Sequence, residues 1–193
     1  WINLLMHELM VSDMLGALGV VVHVGKHTTN SPDKGLEYMY KAMAYILEAM
    51  AANDMKTKLI LETPAGAVTE LLKTIDEFGR FYNLFHATKH LGICIDTAHI
   101  WSSGYQVTEY YDKLTSILKQ SAKDIVLIHY NNSKKDKDSH VDIHETLFDG
   151  LIPLDSLKEF ITNLANQPII ILEKPSNHMK KEFQFIQELS ASA

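Results

Sequence analysis

Apolar residues along this chain follow two rhythms. Short runs rich in Ile, Val and Leu occur at Val20–Val24, Leu59–Leu61, Ile93–Ile95, Ile125–Ile128 and Ile169–Leu172. Runs of this length and composition read as strands buried on both faces. Between them lie longer segments with apolar residues at helical spacing, over 5–18, 34–52, 67–78, 107–121, 154–165 and 178–190. The 34–52 segment follows Ser31-Pro32, a cap with proline at the first helical position, and carries Met39, Met43, Ile46, Leu47 and Met50 on one stripe.

Each apolar run stops at a residue of one chemical kind. The five runs end at or beside His23, Glu62, Asp96, His129 and Glu173, in steps of 39, 34, 33 and 44 residues. A step of that length holds one strand, one helix and two loops, the unit of a parallel β/α barrel. Right-handed crossovers bring the carboxyl ends of such strands to one face, so the five polar residues are expected to converge there. A barrel of eight units runs to about 250 residues. Residues 1–193 are therefore predicted to be one α/β domain holding about five units, with three strands upstream of Trp1. A smaller open α/β sheet is the alternative.

Composition narrows the classes. With 46% hydrophobic residues the chain can bury a proper core. One cysteine excludes a disulfide framework and suits a reducing compartment, the cytoplasm or wherever the substrate lies. No apolar run approaches the roughly 18 residues of a membrane span, and no basic-plus-apolar leader opens the chain. The net charge of −6 argues against gripping nucleic acid through bulk positive charge. Ten histidines beside a surplus of carboxylates, however, fit a chain whose positive charge comes from bound metal.

The strand-end residues, with His99 three positions beyond Asp96 and with Asp142 and His144 in His-Val-Asp-Ile-His, form a set of metal-competent donors. Crowded carboxylates without Lys or Arg would repel one another and resist ionisation, and divalent cations resolve that conflict. A mixture of imidazole nitrogen and carboxylate oxygen suits Zn2+, with Mn2+ second. A lone His or Glu ending a strand is more often a hydrogen-bonded structural group; five consecutive strands ending this way carry the argument. Lys134, Lys135 and Lys137 follow His129 in a polar loop, where they read either as a solvated run or as phosphate contacts. Trp101 and Tyr105 read as packing residues or as a groove lining.

The stretches LILETPAG (Leu59–Gly66), GICIDTAHIWSSGY (Gly92–Tyr105), IHYNNSK (Ile128–Lys134) and VDIHE (Val141–Glu145) resemble the endonuclease IV family, in the family's order and over nearly the whole chain. These are zinc-dependent apurinic/apyrimidinic endonucleases on a TIM (β/α)8 barrel of the xylose isomerase-like type, and the chain corresponds to the fourth through eighth strands. The resemblance implies a site for three zinc ions. His23 would bind the first; Glu62 would bridge the first and second; Asp96, His129 and Glu173 would complete the second; His99, Asp142 and His144 would hold the third. The family's first zinc also takes a histidine that would lie upstream of Trp1. The resemblance implies hydrolysis 5′ to abasic sites in double-stranded DNA, leaving a 3′-hydroxyl, as a base excision repair step of a monomeric enzyme. Glu62, Glu173 and Asp96 would be its catalytic residues, and Lys134, Lys135, Asn131 and Ser133 would contact DNA phosphate.

Several positions depart from the family pattern: Ala98 for Cys, Ile143 for Arg, Asn132 for Asp, Leu147-Phe148-Asp149-Gly150 for Ile-Gly-x-Gly, and Val24-Gly25-Lys26 for Pro-Gly-Ser. The Ala98 change is expected to be tolerated, the Ile143 change to lose a cation that could touch phosphate, the Asn132 change to loosen support of the ligands, and the set as a whole to leave the ligands intact while altering DNA handling. Two other readings stand beside the nuclease. A metal-dependent sugar isomerase or epimerase would use the same barrel but has no use for the His99, Asp142, His144 group. A non-catalytic remnant would bind metal, DNA or a partner without hydrolysis.

Overall fold

The computed structural model of the chain describes residues 1–86, 88–165, 167–174 and 178–192, with the backbone alone over 190–192. Five parallel strands form one sheet, β1 (Gly19–Val22), β2 (Lys58–Glu62), β3 (Leu91–Asp96), β4 (Ile125–His129) and β7 (Ile169–Ile171), neighbours in that order. Helices connect successive strands, as expected of a partial β/α barrel: α1 (Ile2–Met14), α2 (Pro32–Ala52), α3 (Ile75–Asn83), α4 (Thr97–Ser102), α5 (Val107–Leu118), α6 (Leu154–Thr162) and α7 (Met179–Ser192). A two-stranded antiparallel hairpin, β5 (Asn132–Ser133) with β6 (His144–Glu145), stands apart from the sheet.

Local chemistry accounts for most helix limits. Ser31 accepts a hydrogen bond from Lys34 N–H at 3.3 Å with Pro32 behind it, and Met43, Ile46, Leu47 and Met50 are the buried stripe of α2. The helix expected over 67–78 is a correction. Residues 67–74 form turns and an isolated bridge between Lys26 and Glu70, and Leu72 takes a left-handed φ of 56°. The helix starts at Ile75 because Thr74 and Glu77 make a reciprocal capping box. Helix α5 ends at Leu118, short of the expected 121, where Lys119 turns left-handed. Strands β1 and β7 end before the polar residues assigned to them: His23 lies just past β1 and Glu173 two residues past β7.

The sheet separates two apolar layers. Leu59, Leu61, Ile93, Ile95 and Ile128 face the helices in the larger core, while Ile60, Cys94 and Leu127 pack on the opposite face. That alternation is the period-two rule of a strand buried on both sides. Strands β1 and β7 are the sheet edges among the described residues, and an apolar cavity of about 490 Å³ runs along β1, lined in part by Trp1, Leu5, Val22, His23, Tyr38 and Met43.

The loop beyond β6 hangs on Asn132. Its Nδ2 donates to the carbonyls of Leu147 and Ile152, both at 3.0 Å, and its Oδ1 accepts from Ser133 N–H at 2.7 Å and Ile152 N–H at 2.8 Å. The side chain is fully buried and uses both its donor and its acceptor ends on this loop, with no bond to any of the strand-end donors. Gly150 is required beside it: a Cβ there would lie 2.2 Å from Asn132 Cγ. At the far end of the loop, buried Glu182 of α7 accepts from Leu147 N–H at 2.6 Å and pairs with Lys174.

A carboxylate at 132 would face two carbonyl oxygens it cannot donate to. Asn132→Asp is expected to cost about 2 kcal/mol, the penalty of buried polar groups left unsatisfied, and to lower the thermal midpoint by roughly 4–8 °C in a chain of this size. An unchanged melting curve would show that Asn132 does not hold the loop.

Candidate metal centre

Parallel register sets the strand ends side by side. Asp96 pairs with His129 across β3 and β4, and Glu62 lies opposite Cys94 on the β2 side. The register slips by one residue between Ile93 and Cys94, a bulge of the kind that re-aims side chains. Asp96 then caps α4: its Oδ1 accepts from His99 N–H at 2.9 Å, which turns His99 back over the same face. The antiparallel strap of β5 and β6 brings Asp142 and His144 over the strand ends from the other side.

All eight sequence-predicted donors gather here. Four sets of donor atoms lie within 4.8 Å of one another: Glu62, Asp96, His129 and Glu173; His23, His99 and Asp142; Asp96, His99 and His144; and Glu62, His129 and Cys94. Glu62 links His23, its Oε2 3.0 Å from Nε2, to His129, its Oε1 2.8 Å from Nδ1. His129 Nδ1 also lies 3.0 Å from Glu173 Oε2. Asp142 presents one oxygen to His99 at 3.1 Å and the other to His144 at 3.0 Å. Cys94 is a neighbour the sequence did not single out; burial pushes its thiol far up, so it enters as packing.

The imidazoles are oriented for a cation. His99 Nδ1 donates to Thr63 O at 2.7 Å and His144 Nδ1 to Glu173 O at 2.6 Å. With Nδ1 on a carbonyl, Nε2 of each ring is the atom aimed into the cluster, and both Nε2 atoms are buried without a well-formed hydrogen bond. Two ligands on one tetrahedral ion, each about 2.1 Å from it, sit about 3.4 Å apart. The donor spacings of 2.8–3.9 Å around His129 Nδ1, and of 3.1 Å from His99 Nε2 to Asp142, bracket that value. The residues fit divalent cations of the zinc type.

Electrostatics point the same way. Burial opposes charge on His99, yet Asp96, Asp142 and Glu62 outweigh it and hold the ring's pKa up at about 10. His144 is likewise opposed by burial and raised by Asp142 and Asp96 to about 9. Burial pushes the Glu62 carboxyl up, but His129, His23 and His99 overcome this and leave it at about 2. The close approach of the His144 and His99 rings holds Asp142 well below the usual carboxylate range. Without an ion, protons on the rings supply the positive charge that the carboxylates demand.

The four residues expected at DNA phosphate separate into two pairs. Lys134 has an exposed side chain, 65% accessible, 4.0 Å from Glu145, and Lys135 is exposed beside it. Asn131 and Ser133 are each fully buried, and their polar atoms are used inside the fold, so their assignment to phosphate is corrected. Ser133 Oγ donates to Lys135 O at 3.0 Å, while the Asn131 amide bonds Asp96 and the Glu173 backbone. Trp101 and Tyr105 serve the fold: Trp101 Nε1 donates to Lys135 O, and Tyr105 OH accepts from Ile75 N–H. Sequence reasoning passed over Thr63 and Thr97. Thr63 Oγ1 accepts from Asp96 N–H at 3.2 Å, and Thr97 Oγ1 holds the Asn131 backbone. The Thr after each of Glu62 and Asp96 was the available signal.

A family model described as xylose isomerase-like TIM barrel matches residues 2–189. A probable endonuclease 4 of Clostridium botulinum is 35% identical over 153 residues, covering 76% of this chain and 50% of that protein. A probable endonuclease 4 of Staphylococcus aureus is 29% identical over 177 residues, covering 90% of this chain and 58% of the relative. The chain thus spans about half the length of the curated relatives it matches. Among solved structures, endonuclease IV from Thermus thermophilus superposes with a TM-score of 0.77 at 23% identity, covering 100% of this chain and 68% of that one. A D-tagatose 3-epimerase-like protein superposes at 0.75 with 19% identity, covering 98% and 68%. At these identities the structural likenesses establish the fold.

Metal must displace the ring protons to bind. Calorimetric titration of Zn2+ into the metal-free chain at pH 7.5, in buffers of different ionisation enthalpy, is expected to show release of at least the His99 and His144 protons. Because both rings titrate well above neutrality, affinity should climb as pH rises through 7 toward about 9. Binding independent of buffer and pH would contradict this exchange.

Proposed function

The chain belongs to the xylose isomerase-like TIM barrel family and is a relative of endonuclease IV, and on that premise we propose that it carries the metal centre of an enzyme hydrolysing DNA 5′ to abasic sites, leaving a 3′-hydroxyl. One observation carries the reading: His99, Asp142 and His144 join the Glu62, Asp96, His129, Glu173 set instead of standing apart from it. A sugar epimerase needs only the four-residue set, and the added group supplies donors for further ions. Three zinc ions are proposed, with Mn2+ as the substitute. His23 and Glu62 hold the first, Glu62 with Asp96, His129 and Glu173 the second, and His99, Asp142 and His144 the third.

Such ions, when bound, lower the pKa of water to make a nucleophile at neutral pH and neutralise charge on the attacked phosphate and departing oxygen. The protein's share is arrangement. Glu62 is held at one oxygen by His23 and at the other by His129, so each oxygen would be available to a different ion. Glu173, 55% exposed, and Asp142, 37% exposed, mark the side from which a phosphate enters. His99, Asp96 and Glu62 are buried, which keeps bulk water from the inner edge of the site.

The proposed substrate is double-stranded DNA. An abasic nucleotide has lost the base stacking that otherwise resists extrusion, so it reaches a recessed centre at least cost. Lys134 and Lys135 lie on a loop pinned by Lys134 N–H to Ile143 O and by Trp101 to Lys135 O, a firm base for phosphate contacts. Action as a monomer in the cytoplasm completes the proposal. Among the described residues no helix is long and apolar enough to cross a membrane.

In the full-length protein Glu62→Gln is expected to abolish cleavage of an abasic duplex while the far-ultraviolet dichroism is unchanged; cleavage at the wild-type rate would remove Glu62 from its bridging role. Replacing Lys134 and Lys135 together by Ala should weaken DNA binding and flatten the salt dependence by about one logarithmic unit per lysine. A salt slope equal to wild type would count against phosphate contact. Aldose–ketose conversion or sugar epimerisation in place of cleavage would favour the isomerase or epimerase reading.

A further inference from the structure

We propose that Asn131 is a positioning residue that couples Asp96 to Glu173 and thereby sets the affinity of the Glu62, Asp96, His129, Glu173 group for its ion. The inference rests on the metal-centre reading above and adds a residue that holds no ion itself. Asn131 lies two positions beyond His129, at the mouth of β4, and is fully buried. Its Nδ2 donates to Asp96 Oδ2 at 2.7 Å, and its Oδ1 accepts from the Glu173 backbone N–H at 2.8 Å. The two residues it joins lie at the end of β3 and just past β7, strands that flank β4 on opposite sides and do not pair with each other. One amide therefore spans the central strand and ties a ligand from each neighbour.

Each bond answers a specific need. Asp96 Oδ2 lies between two rings, 3.5 Å from His144 Nε2 and 3.9 Å from His129 Nδ1, and so faces two sets of donors at once. With Oδ1 already on His99 N–H, the Asn131 donor fixes the remaining rotation of the carboxylate. Glu173 has an exposed side chain, so its aim depends on its peptide. That peptide is clamped at N–H by Asn131 and at the carbonyl by His144. Asn131 is itself held: Thr97 Oγ1 donates to its carbonyl at 2.6 Å and accepts from its N–H at 2.9 Å. The position needs a donor and an acceptor at the fixed spacing of a short planar amide, which Asn supplies and an ionised Asp does not.

The test reads zinc binding, not activity. Thermal midpoints of the full chain are measured in EDTA and across a zinc series, with affinities from chelator competition, for wild type, Asn131→Ala, Asn131→Ser and Asn132→Ala. Loss of a residue that orients ligands typically weakens metal affinity about 10–100-fold. Asn131→Ala is expected to show that loss in the tightest class of sites and a smaller zinc-induced rise in midpoint; Asn131→Ser, which keeps a hydroxyl, should fall between. Asn132→Ala removes an equally buried amide with no bond to a ligand. It should lower the midpoint in EDTA while its zinc-induced rise stays as in wild type. If Asn131→Ala folds only with zinc, the zinc concentration that folds it gives the same fold-change. Wild-type zinc affinity in Asn131→Ala, or an equal loss in Asn132→Ala, overturns the proposal. A wild-type chain with no zinc-dependent rise fails the metal-centre reading itself, an outcome separate from either.

Discussion

The polar face of this protein depends on the parallel pairing of β2, β3 and β4. Register places Asp96 beside His129 and Glu62 one strand over, so carboxylates and imidazoles are forced within a few ångströms before any side chain has a choice. The apolar runs behind them, buried on both faces, hold that register because a slip would move a whole face out of its layer. The helices matter to the centre through this sheet. The capping of α4 by Asp96, the Asn131 amide and the strap of β5 and β6 all refine a convergence that the sheet has already imposed.

The convergence has an electrostatic cost, and the arrangement offsets it. Four carboxylates meet four imidazoles, and every short contact at the centre is of opposite potential charge. The rings of His99 and His144 can be proton carriers or metal ligands without changing place, because their outer nitrogens are already committed to the Thr63 and Glu173 carbonyls. The acidic character of the chain, unfavourable to DNA when taken alone, is in part the charge of this cluster before cations arrive.

What could be read from the sequence is what repeats or follows a period. The five strands were legible because each apolar run ended on a donor, and α2 because its stripe and its Ser-Pro cap agreed. The segment 67–78 misled because Ala67, Val68, Leu71 and Leu72 mimic a helical stripe while the decisive signal, Thr74 with Glu77, lay at its end. Helix α4 and strands β5 and β6 are too short to show a period. Asn131 and Ser133 were misplaced for a different reason. A polar residue in a polar loop reads as solvated, and the partners that bury Asn131 lie 35 and 42 residues away.

The one-residue bulge in β4 has a consequence for how this protein can change. Side chains alternate faces along a strand, so Val126, the extra residue between Ile125 and Leu127, decides which way Leu127, Ile128 and His129 point, and with that which residue of β4 lies beside Asp96. Side chains in β4 can be exchanged for others of similar volume while its length cannot. Deleting a single residue there would turn His129 out of the cluster and pull Asn131 away from Asp96 and Glu173. Lineages of this fold should therefore drift in the spelling of that strand and remain fixed in its count.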